Sequence, residues 1–197
     1  MAEEKGFGVC NGQTDAYVEL AKAAIFAFTE KGTVLEIPER LAEQMRASRA
    51  AVFVSIKKNG QLRGCIGTIV PCYACVAEEV IQNAISACSR DPRFPPVRKE
   101  EIPELSVSVD VLTEPEPIAS IEELDPSRFG VIVSCGRRRG LLLPDLEGVD
   151  SAEDQVMIAM QKGGIRPHEA YQLERFEVVR HDAGASNWSG ASDGAEC

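Results

Sequence analysis

The chain has 197 residues, 44% of them hydrophobic, enough for one domain with a real core and with no apolar run near the roughly 20 residues a membrane span needs. Its 31 acidic and 21 basic residues leave a net charge of −10, a field that opposes binding to phosphate backbones. Two histidines exclude a histidine-rich metal centre. Seven cysteines behind a polar, acidic N-terminus (Met1-Ala2-Glu3-Glu4-Lys5) point to a reducing, cytoplasmic compartment rather than a disulfide framework. No membrane and no nucleic-acid partner are expected.

Residues 1–12 read as an N-terminal extension. Residues 13–31 form the first predicted helix, with Tyr17, Leu20, Ala21, Ala24, Ile25 and Phe28 at helical spacing. Thr14 or Asp15 is available as its cap, and Gly32 ends it. Residues 38–49 are loop with room for a short helix. A β-rich run over 50–57 meets Asn59-Gly60, a strong hairpin signal, and a returning strand over 61–70. A second helix is predicted over 74–89. The prolines of Asp91-Pro92-Arg93-Phe94-Pro95-Pro96 stiffen the loop that follows.

Residues 105–113 alternate as a strand, with Val107, Val109 and Val111 on one face, and 114–117 read as a turn. Strands over 129–135 and 140–143 are expected to join through Arg137-Arg138-Arg139. A third helix covers 151–163 and a last strand 173–179. His181 is expected in solvent at the edge of a tail, 182–197, rich in Gly, Ala, Ser and Asp and predicted to be disordered. Paired strands with interspersed helices predict an α+β fold with a mainly antiparallel sheet and flanking helices.

The chemistry concentrates in Leu62-Arg63-Gly64-Cys65-Ile66-Gly67-Thr68, where a thiol lies between glycines and next but one to an arginine. A cation stabilises thiolate, the reactive form of cysteine. In a regular strand Arg63 and Cys65 share a face, with α-carbons roughly 6–7 Å apart; a bulge at Gly64 or Gly67 would change that register. The competing reading makes Cys65 a small packed core residue. In the proline-braced loop, Asp91, Arg93 and Phe94 are placed either for binding or for capping and packing. Arg137, Arg138 and Arg139 could grip a phosphate or carboxylate, though such a run more often covers a solvated turn. Cys72-x-x-Cys75, with Cys65 and Cys88 near in sequence, invites a metal but lacks two well-placed further ligands, so no metal and no cofactor are expected. No phosphate-cradling glycine loop and no serine elbow is present.

The same residues resemble a known family. The run from Leu62 to Thr68 is similar to the signature of the AMMECR domain, and the Asp91 to Pro96 loop with residues 105–112 is similar to its second block. Gly140-Leu141-Leu142-Leu143-Pro144-Asp145-Leu146-Glu147-Gly148-Val149 and Lys162-Gly163-Gly164-Ile165 resemble blocks of its bacterial branch, the AmmeMemoRadiSam system protein A group. Gly163 stands where that branch commonly has alanine. The resemblance covers residues 13–181 and implies two unequal lobes with the signature near the groove between them. It implies a Memo-like protein and a radical SAM enzyme as partners. It points to Cys65 and Arg63 as the chemical centre and to Gly64, Gly67, Thr68, Asp91, Arg93 and Phe94 as binding residues. An enzyme subunit or modification target is one reading, and a non-catalytic binding or adaptor module is the other.

Overall fold

The computed structural model describes residues 15–182. Helix α1 (Ala16–Lys31) starts where the Asp15 carboxylate accepts the amides of Tyr17 and Val18, and ends at Gly32 in a left-handed turn. A five-residue helix α2 (Glu43–Ala47) follows. Strands β1 (Val52–Lys58) and β2 (Gln61–Gly67) close around Asn59 and Gly60, both at positive φ, as the two-residue hairpin turn requires. Helix α3 (Val76–Ser89) then crosses the sheet, and strand β3 (Leu105–Leu112) pairs with β1.

Two antiparallel four-stranded sheets result. The first has the order β2-β1-β3-β8, where β8 is Val178–Asp182. The second has the order β4-β7-β5-β6, built from β4 (Glu116–Ile118), β5 (Gly130–Cys135), β6 (Arg138–Leu142) and β7 (Gln172–Phe176). Helix α4 (Ala152–Lys162) covers the second sheet. The α+β class with an antiparallel sheet and flanking helices holds, in two unequal lobes.

Alternation decides which face of the first sheet is core. Val52, Val54 and Ile56 are fully buried with Val107 and Val109 against α1 and α3, each burial stabilising by about 1.5–3 kcal/mol. The intervening Phe53, Ser55, Lys57, Ser106, Ser108 and Asp110 face the other way, toward the second lobe. A smaller core lies under α4, and a third cluster (Ala51, Leu112, Ile132, Leu141, Phe176) fills the joint between the lobes.

The chain crosses between the sheets twice, after β3 and after β7. The residues 173–179 predicted as one strand therefore split at Glu177, whose carbonyl accepts the Thr113 amide and whose amide donates to Thr113 Oγ1. Residues 114–117 are not simply a turn, because Pro117 lies on β4 at the sheet edge, where its missing N–H costs nothing. His181 is not solvated: its Nδ1 lies 2.7 Å from Asp15 Oδ2 and its ring stacks on Tyr17. Asp182 pairs with Ser108 on β8, so the strand includes a residue expected in the tail. The rest of the predicted tail and extension lies outside the described residues. Helix α4 meets β6 backbone to backbone, since a Cβ on Gly140 would run into the Ala159 carbonyl and one on Gly163 into the Gly140 amide.

Candidate functional site

A groove of about 920 Å³ separates the open face of the first sheet from β6, α4 and the segment after β6, a size that suits a small molecule. Cys65 forms part of its wall from β2, the edge strand. Directly across on β1, Ser55 Oγ donates to Cys65 Sγ at 3.2 Å. Beneath the strand, a Cβ on Gly64 would run into the Ala87 carbonyl, so only glycine lets β2 lie this close to α3. Gly67 performs the same service on the groove face, where the Phe53 ring occupies the space.

An edge strand leaves backbone groups without partners. At Cys65 the loop after α3 supplies them. Asp91 Oδ2 accepts the Cys65 amide at 2.8 Å, and Arg93 Nη2 donates to the Cys65 carbonyl at 3.1 Å. Asp91 and Arg93 are themselves joined through Nε and Nη2. The buried Asp91 carboxyl is held far below the ordinary carboxylate range, first by the Arg93 guanidinium and then by the Cys65 and Arg93 amides, against the opposing effect of burial. Two residues of the proline-braced loop thus replace a missing strand and fix the backbone on both sides of the thiol.

Arg63 does not act beside Cys65. The hairpin starts regularly, with Lys57 opposite Leu62, but Ile56 then pairs with Gly64, which leaves Arg63 as the extra residue of a bulge. Its guanidinium grips Glu101 bidentately at 3.0 Å and donates to the Pro95 and Pro96 carbonyls at 2.9 and 3.2 Å. Glu101 is in turn pushed down to about 2, chiefly by Arg63, then by the Arg98 amide and by the charges of Arg63 and Lys58. Arg63 lies outside the groove lining and braces the loop that carries Asp91 and Arg93.

The cations near the sulfur are Arg93 and Lys162, and each is close enough to interact electrostatically with Cys65. Lys162 ends α4, and its Nζ donates a long 3.4 Å bond to the Leu141 carbonyl. Water reaches its side chain through the open groove, yet protein on both sides displaces bulk solvent. That desolvation, with the charge of Arg93, pushes its ammonium below the usual lysine value against the opposing effect of Cys65. Farther along, Arg180 clamps the buried Asp110 carboxylate at 2.8 and 3.2 Å.

The remaining predicted residues divide. Thr68 turns from the groove and donates to Glu79, a buried carboxylate that also accepts the Cys72 and Tyr73 amides. Phe94 is half-buried beside the Arg93 guanidinium and does not line the groove. Arg139 lines it while paired with Glu174 and Ser134, and Arg138 pairs with Glu169. Cys72 is exposed and Cys75 buried, and burial pushes the Cys88 thiol up. Among the described residues no group of three His, Cys, Asp or Glu side chains is placed to hold a metal. Ser55, Glu101 and Lys162 were not singled out from their residue types, although Lys162 opens one of the quoted C-terminal blocks.

The geometry can be set beside known proteins. A profile of the AMMECR1 family matches residues 18–182. A Clostridium acetobutylicum protein is 51% identical over 170 residues, which are 86% of this chain but 36% of that protein. A Thermotoga maritima protein is 46% identical over 167 residues, 84% of this chain and 96% of its own. The crystal structure of a Pyrococcus horikoshii protein has the same fold, with a TM-score of 0.77 at 32% identity, over 83% of this chain and 88% of that one. On this evidence the chain belongs to the AMMECR1 family.

Proposed function

We propose that the groove is the working site of an enzyme subunit, or of a protein modified at Cys65, and that Cys65 is its chemical centre. The observation that carries this reading is the clamp on Cys65: backbone amide and carbonyl both held by the Asp91–Arg93 pair, with the sulfur left on the groove wall beside Ser55, Arg93 and Lys162. A packed cysteine needs no such apparatus. A thiol that must meet a ligand in one orientation does, because reacting groups gain most from being held in place before the reaction. Arg93 and Lys162 are the cations near the sulfur and would favour an anionic group bound beside it. Arg63 acts as a positioning residue.

The resemblance of the motif blocks supports a Memo-like protein and a radical SAM enzyme as partners in the same system. A second reading, a non-catalytic binding or adaptor module, draws on one observation: neither histidine lines the groove to serve as base for the thiol.

Mass spectrometry of the chain from its native cells, with and without the radical SAM partner, tests the first reading. A partner-dependent mass change on Cys65, or alkylation of Cys65 faster than of exposed Cys72, is expected. An unmodified Cys65 that alkylates no faster than Cys72, with Cys65→Ala keeping partner binding, would leave the adaptor reading in possession.

A further inference from the structure

The last described strand leaves the sheet at the groove. Strand β8 sets Arg180 opposite Asp110 and Asp182 opposite Ser108, and all four residues line the groove. Carried across the sheet, the same register sets Ser108 opposite Ser55 and Ser55 opposite Cys65. Asp182 therefore stands in one row with the thiol, three strands away, a distance of about 14 Å at the usual strand spacing. Continued by two residues, the register would bring residue 184 opposite Ser106, in the row where Lys57 faces Leu62.

The residues that follow Asp182 carry one side chain out of keeping with the rest. From 183 to 197 they are Ala, Gly, Ser, Asn, Asp, Glu and Cys, except for Trp188, the one tryptophan of the whole chain. A stretch of that composition has no apolar surface of its own on which to bury an indole. The groove has one. Leu62 and Leu146 line it while 42% and 37% exposed, with half-buried Phe53, Ile69 and Leu143 in the same lining, and exposed apolar surface gathered in one place marks a contact site. Trp188 lies six residues past Asp182, a length that spans up to about 20 Å. That is enough to cross the floor to Leu62 and Cys65.

We propose that Trp188 of this same chain occupies the apolar side of the groove, packed on Leu62 and Leu146, and that the segment before it lies over the floor and shields Cys65. The docking depends on where β8 ends and on the two leucines, not on the chemistry of the thiol. Its consequence rests on the groove being the working site: whatever binds there must displace the indole, and its affinity is reduced by the fraction of chains in which the groove is open.

Fluorescence of the full chain tests the docking directly, because Trp188 is its one tryptophan. Emission should lie to the blue of that from a peptide of residues 183–197, and acrylamide should quench it severalfold less. Leu62→Asp and Leu146→Asp, both at exposed positions, should each move emission and quenching toward the peptide's values with circular dichroism unchanged. Phe26→Asp, at an exposed position on α1, should move neither. Trp188→Gly should make Cys65 alkylate severalfold faster. Emission and quenching equal to the peptide's, a shielded indole indifferent to both leucine substitutions, or a Trp188→Gly effect on alkylation within about twofold would overturn the inference. Shielding that fades on dilution would overturn it too, by assigning the occupant to a second copy of the chain. A Cys65 that carries no modification in native cells would count against the chemical reading and leave the fluorescence result standing.

Discussion

The two walls of the groove are held by different physics. The first-sheet wall rests on buried pairs: Arg63 with Glu101, 13% and 10% exposed, and Asp91, 2% exposed, beneath Arg93. The second-lobe wall presents Arg139, paired with Glu174, from β6, the strand that also carries the Arg138–Glu169 pair outside the groove, and both carboxylates are solvent-accessible. A buried pair costs its desolvation and then strongly resists losing one member, whereas exposed pairs contribute little. Precision is kept where the pairs are buried. The strand that carries Cys65 is rigidly located, and the opposite wall supplies charge and surface on a less constrained frame.

The largest expected effect comes from the floor of the first wall. Gly64→Ala drives a methyl group into the Ala87 carbonyl, and denaturant unfolding should show a loss of about 3 kcal/mol. The Cys65–Ser55 contact should loosen with it, read as faster and less selective alkylation of Cys65. A neutral Gly64→Ala would mean that β2 can move off α3 freely, and the contrast between the walls would fall.

Next comes the brace. Arg63→Ala strands Glu101 among weaker partners and should cost roughly 2–3 kcal/mol. Glu101 also sets an acid limit. Its folded value, about 2, lies below its ordinary 4.5, so its contribution is complete above about pH 4.5 and is lost as pH falls toward 2. Acid unfolding of Arg63→Ala should therefore begin at higher pH than that of the unaltered chain. Coincident acid profiles would show that the brace is not ionic.

The smallest effect is expected on β6, the strand behind the second wall. Arg138→Ala removes an exposed pair with Glu169 and should leave the unfolding midpoint unchanged within error. A loss as large as that of Arg63→Ala would erase the distinction between the walls.

Much of this was legible along the chain. Helical spacing and caps located α1, α3 and α4 within a few residues, and Asn59-Gly60 located the hairpin. The stiff loop at residues 91–96 proved to carry Asp91 and Arg93 to the thiol. The strand face of Arg63 was not legible, because one unpaired residue redirects its side chain and strand alternation assumes none. Nor was the break at Glu177, since residues 173–179 alternate acceptably whether they lie in one sheet or two. His181 looked solvated because its partners, Asp15 and Tyr17, lie at the other end of the chain.

The helices, the β1–β2 hairpin, the buried face of the first sheet and the family were legible in the chain, because periodicity, caps and tight turns depend on neighbours a few residues apart. Which cations stand near Cys65 depended on long-range packing. Arg63, two residues away, is drawn off by Glu101, while Lys162, from the far lobe, is brought to the groove by the packing of α4 on β6 through Gly140 and Gly163. Proximity in sequence fixes which residues can share a strand. The match of charge to buried partner, settled across the whole fold, fixes which of them reach the site.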